Sequence, residues 1–219
     1  MMTPTAMVFV IDDDEAVRKS LQRLLGAAHY TVELFKSASE FLSRSAHSGP
    51  SCVVVDVQMP GLNGMDLQKA LIERHSEQQI VFITGHGNIP MCAQAMKAGA
   101  VDFLPKPFKP KELLASVERA LSRSVEQRRR ASEKNHARGL LERLTPREFQ
   151  VMELVTTGML NKQVGAKLGI AEKTVKTHRA NVMQKLGITS VAELIGVMQK
   201  AEVSPGSALR LRSHSVETV

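Results

Sequence analysis

Over its first 123 residues the chain alternates short apolar runs with segments that are long enough to form helices. Several of these runs, such as Val53-Val54-Val55, are apolar at every position, which is typical of parallel strands covered on both faces. Between the runs, apolar residues recur every three or four positions, as they do on one face of an amphipathic helix. Five such units predict a doubly wound α/β fold with a five-stranded parallel sheet, whose strands are 8–11, 31–35, 52–55, 80–83 and 101–104.

A different pattern begins near residue 111, where the spacing of apolar residues predicts one long helix over 111–138. The apolar stripe stops at Val125, and the charged residues that follow are good helix formers. We interpret 124–143 as a partly helical linker with a break at Gly139, and a disordered linker is the alternative. The first domain then covers residues 1–123.

Signals for helices return after the linker. Thr145 can cap a helix, Pro146 suits its first position, and Glu148 stands where a capping box needs an acid. Glycines then separate three further helical segments, 161–168, 172–186 and 190–201, and no strand pattern occurs. We therefore predict an all-α four-helix domain over 144–203 and a disordered tail over 204–219.

The charge of the chain is unevenly distributed between these two parts. Residues 1–123 contain 13 Lys/Arg and 13 Asp/Glu, whereas residues 124–219 contain 16 and 9. The whole excess of +7 lies in the second part, which favours a polyanion as its partner. An ordinary solvated basic face is the alternative that charge alone leaves open.

Composition narrows the class of protein further. No apolar run reaches the roughly 18 residues of a membrane span, and the N-terminus lacks the pattern of a secretory signal. The two cysteines, Cys52 and Cys92, have no metal-ligand spacing around them and are expected to be buried packing residues in a reducing compartment. We therefore expect a cytoplasmic protein without a membrane partner.

Polar side chains occur at the carboxyl ends of four predicted strands, namely Asp12, Asp13, Asp56, Thr84 and Lys106. In a sheet of order 2-1-3-4-5 these ends meet at one edge, where such folds bind ligands. Three adjacent carboxylates repel one another unless a cation lies among them, and hard oxygen ligands suit Mg²⁺. With the Lys106 ammonium and the Thr84 hydroxyl, the edge suits transfer of a phosphoryl group onto a carboxylate.

The acidic run in this set is not specific by itself. Asp12-Asp13-Asp14-Glu15 at the start of a helix is often only favourable charge at the positive end of the helix dipole. The occurrence of five suitable residue types at the matching ends of different strands favours the functional interpretation.

Residues 7–121 resemble the receiver domain of two-component response regulators, which has a flavodoxin-like fold. The matching motifs are VIDDD at 10–14, DVQMPGLNG at 56–64, TGHG at 84–87 and FLPKP at 103–107. The resemblance implies that Asp56 accepts a phosphoryl group from a sensor histidine kinase, with Mg²⁺ as the cofactor. Asp13 and Asp56 would bind the metal directly, Asp12 through water, and Gln58 through its backbone carbonyl.

The same resemblance implies a phosphoryl-binding and switching set. Thr84 and Lys106 would contact the phosphoryl group, and the Lys106-Pro107 bond would be cis. Phe103 would be the aromatic side chain that turns inward as Thr84 moves. Without the family, a core phenylalanine on the last strand is the simpler interpretation of Phe103.

The predicted helix 172–186 has two distinct faces. One is an apolar stripe of Val175, Val182 and Leu186, and the other carries Lys173, Lys176, Thr177 and Ala180. Two cations, a small polar residue and a small apolar residue suit a helix in the major groove of DNA. A solvated helix face with ordinary lysines is the alternative for this helix alone.

Residues 144–201 resemble the four-helix DNA-binding domain of the LuxR/NarL/FixJ type, through LTPRE at 144–148, NK at 161–162, KLGI at 167–170, KTVKTHR at 173–179 and KLG at 185–187. The resemblance implies base contacts from Lys176, Thr177 and Ala180. It implies phosphate contacts from three further cations, Lys173, Arg179 and Lys185. Two positions depart from the pattern: Ala171 replaces the usual capping Ser or Thr, and Gly165 replaces an alanine.

Together the two resemblances indicate a response regulator of the FixJ/NarL type, nearest the FixJ branch, and not an enzyme. They imply a receiver that dimerises when phosphorylated, a second domain that binds double-stranded operator DNA, and RNA polymerase as a partner if the protein is an activator. A phosphatase with an aspartate nucleophile is a weaker alternative, because Gln58 stands where many such enzymes have a second aspartate. Two further alternatives are a receiver that acts only as a phosphate sink and a basic domain that binds DNA without sequence preference. The basic second domain disfavours the phosphate sink.

Overall fold

The computed structural model describes residues 6–85 and 88–203. The chain divides into two compact units, with the boundary between Arg129 and Arg130. The sheet of the first unit consists of β1 Met7–Ile11, β2 Thr31–Phe35, β3 Ser51–Asp56, β4 Gln79–Thr84 and β5 Asp102–Pro105. The strands pair in parallel in the order β2-β1-β3-β4-β5, which confirms the predicted doubly wound fold.

Helices cover both faces of this sheet, namely α1 Glu15–Ala27, α2 Ala38–Ser43, α3 Gly64–Glu73, α4 Ile89–Lys97 and the first part of α5 Pro110–Leu141. Successive side chains of a strand point to opposite faces, so Phe9 and Ile11 enter one core cluster while Val8 and Val10 enter the other. Both faces are buried in the middle of the sheet, and there β1 and residues 52–55 of β3 are apolar at every position. The edge strand β2 instead carries exposed Thr31 and Glu33.

The second unit contains the end of α5 and four further helices, α6 Pro146–Thr156, α7 Asn161–Leu168, α8 Glu172–Leu186 and α9 Val191–Ala201. No strand occurs among the residues of this unit that the structure describes. The predicted capping box is confirmed: Thr145 N donates to Glu148 Oε2 at 2.8 Å, and Glu148 N donates to Thr145 Oγ1 at 3.3 Å.

Helix α5 extends beyond the predicted segment and passes through Gly139 without a break. Its middle packs on the first unit, where Ser51 N donates to Ser124 Oγ and Gln79 Nε2 donates to Gln127 Oε1. Its last turns belong to the core of the second unit, where Ala137 and Leu141 are buried. The alternative of a disordered linker therefore does not hold for the residues up to Leu141.

The burial expected of both cysteines is found for only one of them. Cys52 is buried, whereas Cys92 is only half-buried, and both thiols are free. Within residues 6–85 and 88–203, no helix combines the length and the apolar composition needed to cross a bilayer. The tail expected to be disordered, 204–219, lies outside the described residues, as does His86, which lies in one of the receiver motifs.

Candidate phosphoacceptor site and DNA-binding surface

The fold brings four of the predicted polar residues to one edge of the sheet. Asp56 and Thr84 are the last residues of β3 and β4, and Asp12 and Lys106 directly follow β1 and β5. Lys106 N donates to Thr84 O at 2.6 Å, which holds the end of β5 beside the end of β4. The edge is therefore built from strand ends that are fixed by the sheet itself.

Lys106 links the two buried carboxylates of this edge. Its Nζ lies 2.8 Å from Asp12 Oδ2 and 2.7 Å from Asp56 Oδ1. Asp12 is 1% exposed and Asp56 is 5% exposed, so neither charge is stabilised by bulk water. The ammonium supplies the compensating charge instead.

Burial and hydrogen bonding oppose each other at both partners. Burial raises the pKa of Asp56, and this exceeds the lowering produced by the hydrogen bonds from Lys106 and from the Gln58 backbone. Burial alone would lower the pKa of Lys106, but its hydrogen bonds to Asp12 and Asp56 outweigh that effect and raise it. Lys106 therefore carries a fixed positive charge at neutral pH.

Backbone N–H groups hold the carboxylates in place. Gln58 N donates to Asp56 Oδ2 at 2.6 Å, and Asp14 N donates to Asp12 Oδ1 at 2.9 Å. Arg18 Nη1 also donates to the Asp12 carbonyl at 2.7 Å, a contact that sequence reasoning missed. Every oxygen of the Asp12 and Asp56 carboxylates thus has a hydrogen-bond donor.

Gly64, the first residue of α3, lies directly against the backbone of the site. A Cβ atom here would be 2.5 Å from Asp56 O, 3.1 Å from Val57 Cα and 3.2 Å from Phe82 Cε1. Only glycine lets the helix begin this close to Asp56. Gly64 ends one of the receiver motifs, but the sequence alone gives it no individual role.

The predicted metal ligands are only partly assembled. Asp13 is exposed, while Asp12 and Asp56 share Lys106. In the part of the chain that the structure describes, no three Asp, Glu, His or Cys side chains converge as a metal site. The donor chemistry nevertheless fits a divalent cation, because the Asp12 and Asp56 carboxylates are hard oxygen ligands and carry one negative charge more than Lys106 compensates.

The residues expected to switch also lie near this edge. Thr84 is fully buried, and Phe103 is half-buried with its ring 5.9 Å from that of Phe82. The Lys106-Pro107 bond is cis, as the resemblance implies. Phe103 is therefore placed at the margin of a core cluster, in contact with the interior but not enclosed by it.

In the second unit, α8 has the two faces that its sequence predicts. Val175, Val182 and Leu186 are buried. The opposite face is exposed and consists of Lys173, Lys176, Thr177 and Ala180. Ala171 at the N-cap makes no side-chain capping bond, as expected from its lack of a hydroxyl.

Two of the expected phosphate ligands have partners within the protein. Arg179 Nη1 donates to Asn161 Oδ1 at 2.7 Å, and Lys185 Nζ donates to Glu148 Oε2 at 2.6 Å. Burial would raise the pKa of Glu148, but the bonds from Lys185 and Thr145 outweigh it and lower the pKa to about 2. These long-range partners were not visible in the sequence.

Gly165 of α7 has a packing reason that its sequence position did not reveal. A Cβ atom here would lie 2.7 Å from Ile170 O and 3.6 Å from Val175 Cγ2. The glycine lets the turn between α7 and α8 close tightly, which offsets its low helix propensity.

Comparison with known proteins supports the same two-part organisation. Residues 8–118 match the model of the response regulator receiver domain, and residues 142–198 match that of the bacterial regulatory proteins of the luxR family. Nodulation protein W of Bradyrhizobium diazoefficiens is 45% identical over 199 residues, 91% of this chain and 88% of that protein. The transcriptional regulatory protein FixJ of Azorhizobium caulinodans is 40% identical over 204 residues, 93% of this chain and 97% of that protein.

Solved structures agree with these relatives. The low-resolution structure of the response regulator StyR matches with a TM-score of 0.80 and 45% identity, covering 90% of this chain and 99% of that one. Full-length FixJ from B. japonicum matches with a TM-score of 0.53 and 38% identity, covering 90% and 97%. The family is one of transcriptional regulators and not of enzymes. The chain therefore belongs to the two-component response regulators that combine a receiver domain with a LuxR-type DNA-binding domain.

Proposed function

We propose that this regulator accepts a phosphoryl group on Asp56 from a sensor histidine kinase in the cytoplasm. We propose further that phosphorylation controls binding of its second domain to double-stranded operator DNA. The observation that carries the first part is the Lys106 ammonium held between Asp12 and Asp56 at the carboxyl edge of the sheet. Among the described aspartates, only Asp12 and Asp56 combine burial with a bound ammonium, and Asp56 is the one that stands in the motif of the acceptor.

The chemistry follows from these contacts. A carboxylate oxygen of Asp56 attacks phosphorus, the new O–P bond forms, and the P–N bond to the donor histidine breaks. The electron pair of that bond leaves with the imidazole. Lys106 offsets the charge that is carried onto Asp56, and the Thr84 hydroxyl donates to a phosphoryl oxygen. Asp12, Asp13, Asp56 and the Gln58 carbonyl would hold Mg²⁺, which offsets further charge on the phosphoryl oxygens.

The output steps rest on the resemblance and on the placement of two residues. Thr84 moves toward the phosphoryl group, and Phe103, which is only half-buried, turns inward. The surface of α4, β5 and α5 then favours a receiver homodimer. A dimer presents two DNA-binding domains to two half-sites, and RNA polymerase is a partner where the regulator activates.

On the DNA, the exposed face of α8 enters the major groove. Lys176, Thr177 and Ala180 face the bases, and Lys173 faces a phosphate. Arg179 and Lys185, the other two phosphate ligands that the resemblance implies, already have intramolecular partners.

Acetyl phosphate labelling in the presence of Mg²⁺ tests the acceptor assignment. Asp56→Asn should abolish labelling, whereas Asp102→Asn, which changes a half-buried aspartate at the opposite end of β5 from the site, should retain it. Labelling of another aspartate in the Asp56→Asn variant would show that the acceptor is wrongly assigned. Genome-wide DNA binding of the wild type and of Asp56→Asn then tests whether phosphorylation controls operator binding.

A further inference from the structure

We propose that Arg179 and Lys185 are positioning residues that hold α8 against α6 and α7, and that they are not phosphate ligands. The inference rests on the proposed DNA-binding function and concerns which cations of α8 reach the DNA. It assigns the phosphate contacts of this helix to the exposed face, where Lys173 lies.

The direction of each side chain around the helix is the first observation. With about 100° per residue, Arg179 lies about 40° and Lys185 about 80° from the centre of the buried stripe formed by Val175, Val182 and Leu186. Measured from the centre of the exposed face, the same two residues lie about 110° and 130° away. Both cations therefore leave α8 nearer to its buried stripe than to its exposed face.

Lys185 is held there by the Glu148 carboxylate, which is buried and takes its countercharge from this lysine. Glu148 is buried in α6, and its Oε2 accepts from Lys185 Nζ at 2.6 Å and from Thr145 N at 2.8 Å. Turning Lys185 toward DNA would leave this carboxylate without a countercharge, and breaking a buried pair on one side is strongly unfavourable. The bond also ties the last turn of α8 to the first turn of α6.

Arg179 has apolar neighbours as well as a hydrogen-bond partner. It lines a small apolar cavity together with Val151, Val155 and Leu194. The guanidinium donates to Asn161 Oδ1 at 2.7 Å, at the first residue of α7. An arginine that packs its methylenes on apolar residues loses that packing if it swings outward.

The two bonds together fix the angle of α8 relative to both neighbouring helices. Asn161–Arg179 joins α8 to α7, and Glu148–Lys185 joins it to α6. An exposed reading face needs this support, because side chains at the groove must be held in a defined geometry to discriminate bases. Loss of either bond should therefore reduce specificity without removing a phosphate contact.

The salt dependence of binding separates a phosphate ligand from a positioning residue. Each phosphate contact contributes about 0.9 to the slope of log K against log salt concentration. We would measure this slope for the full chain on a random-sequence 30-bp duplex, for wild type, Lys185→Gln, Arg179→Gln and the matched control Lys173→Gln. The expected slope falls by about 0.9 only in Lys173→Gln. A fall of this size in Lys185→Gln or Arg179→Gln would overturn the assignment for that residue.

A second readout reports positioning. The ratio of affinity for a site selected by the wild type to affinity for the random duplex should fall at least several-fold in Lys185→Gln and recover in Lys185→Arg. If Lys185→Gln does not fold, Glu148→Gln retains the lysine and the capping box. A wild-type ratio in Glu148→Gln would mean that the Lys185–Glu148 bond does not position α8, and would refute the inference. Absence of salt-dependent binding by the wild type would instead refute the DNA-binding function itself.

Discussion

Replacement of Gly64 by alanine tests how closely α3 must approach Asp56, the proposed phosphoacceptor. The added Cβ would lie 2.5 Å from Asp56 O and 3.1 Å from Val57 Cα, both backbone atoms that no rotamer change can move. Overpacking of this kind typically costs about 1–3 kcal/mol. Alanine gains at most about 1 kcal/mol of helix propensity at this first helical position. We therefore expect Gly64→Ala to destabilise the receiver by about 1–2 kcal/mol.

The chain offers a probe that is specific for the receiver. It contains no Trp and a single Tyr, Tyr30, which packs against a core cluster of the first unit. Urea unfolding followed by Tyr30 emission therefore reports the receiver, while far-UV circular dichroism reports both units. Gly26→Ala is the matched control, because a Cβ at this helical position of α1 would meet nothing within 4 Å. It should stabilise the receiver by about 0.5–1 kcal/mol.

The clash can be relieved only by moving the start of α3 or the Asp56 carbonyl. Either movement disturbs the Gln58 N–H that holds the Asp56 carboxylate, so Gly64→Ala should also slow labelling by acetyl phosphate. Gly26→Ala should label at the wild-type rate. A Gly64→Ala protein with wild-type stability and wild-type labelling would show that the close approach is not a constraint.

Three further predictions concern pH, metal and base recognition. The pKa of Glu148 is about 2 in the fold and 4.5 in its ordinary state. The ionised carboxylate therefore stabilises the fold fully above about pH 5, and this contribution is lost as pH falls toward 2. At about 1.4 kcal/mol per pKa unit, this shift can stabilise the fold by at most about 3 kcal/mol. Solvent screening at Lys185, whose side chain is 36% exposed, reduces the contribution to about 1–2 kcal/mol. The stability difference between wild type and Glu148→Gln, from far-UV urea unfolding, should therefore shrink between pH 6 and pH 3, and a constant difference would contradict the pairing. Excess EDTA should abolish labelling of Asp56 and added Mg²⁺ should restore it; labelling that persists under chelation would remove the metal from the mechanism. Lys176→Ala should weaken operator binding by about 1–3 kcal/mol and relax one base position in a footprint, and an unchanged footprint would exclude it from the reading set.

Much of the fold could be predicted because strands that are buried on both faces have continuous apolar runs, which can be recognised in the sequence. A strand such as β3 must be apolar at both alternating sets of positions, so its run is visible without any partner. Helix starts were equally visible where the chemistry is local, as at Thr145 and Glu148. The break expected at Gly139 was wrong, because packing of Ala137 and Leu141 continues the helix through it.

The candidate sites were predictable by residue type but not by pairing. Lys106 contacts Asp12 across 94 positions of the sequence, and Lys185 contacts Glu148 across 37, so only the tertiary fold brings them together. The family resemblance implied a phosphate contact for Lys185, and no local signal in the sequence pointed to Glu148 as its partner. The role of Gly64 depends on backbone atoms of Asp56 and has no local signal beyond the glycine itself.

The continuity of α5 bears on how regulators of this kind can exchange domains. The family matches end at residue 118 and resume at 142, yet Leu121 and Ser124 complete the first unit and Ala137 and Leu141 complete the second. A recombination event at either family boundary would remove core residues from one of the two units. A junction beside Arg129 and Arg130 would leave both cores whole, so the middle of this helix is the position at which a receiver could acquire a different output domain.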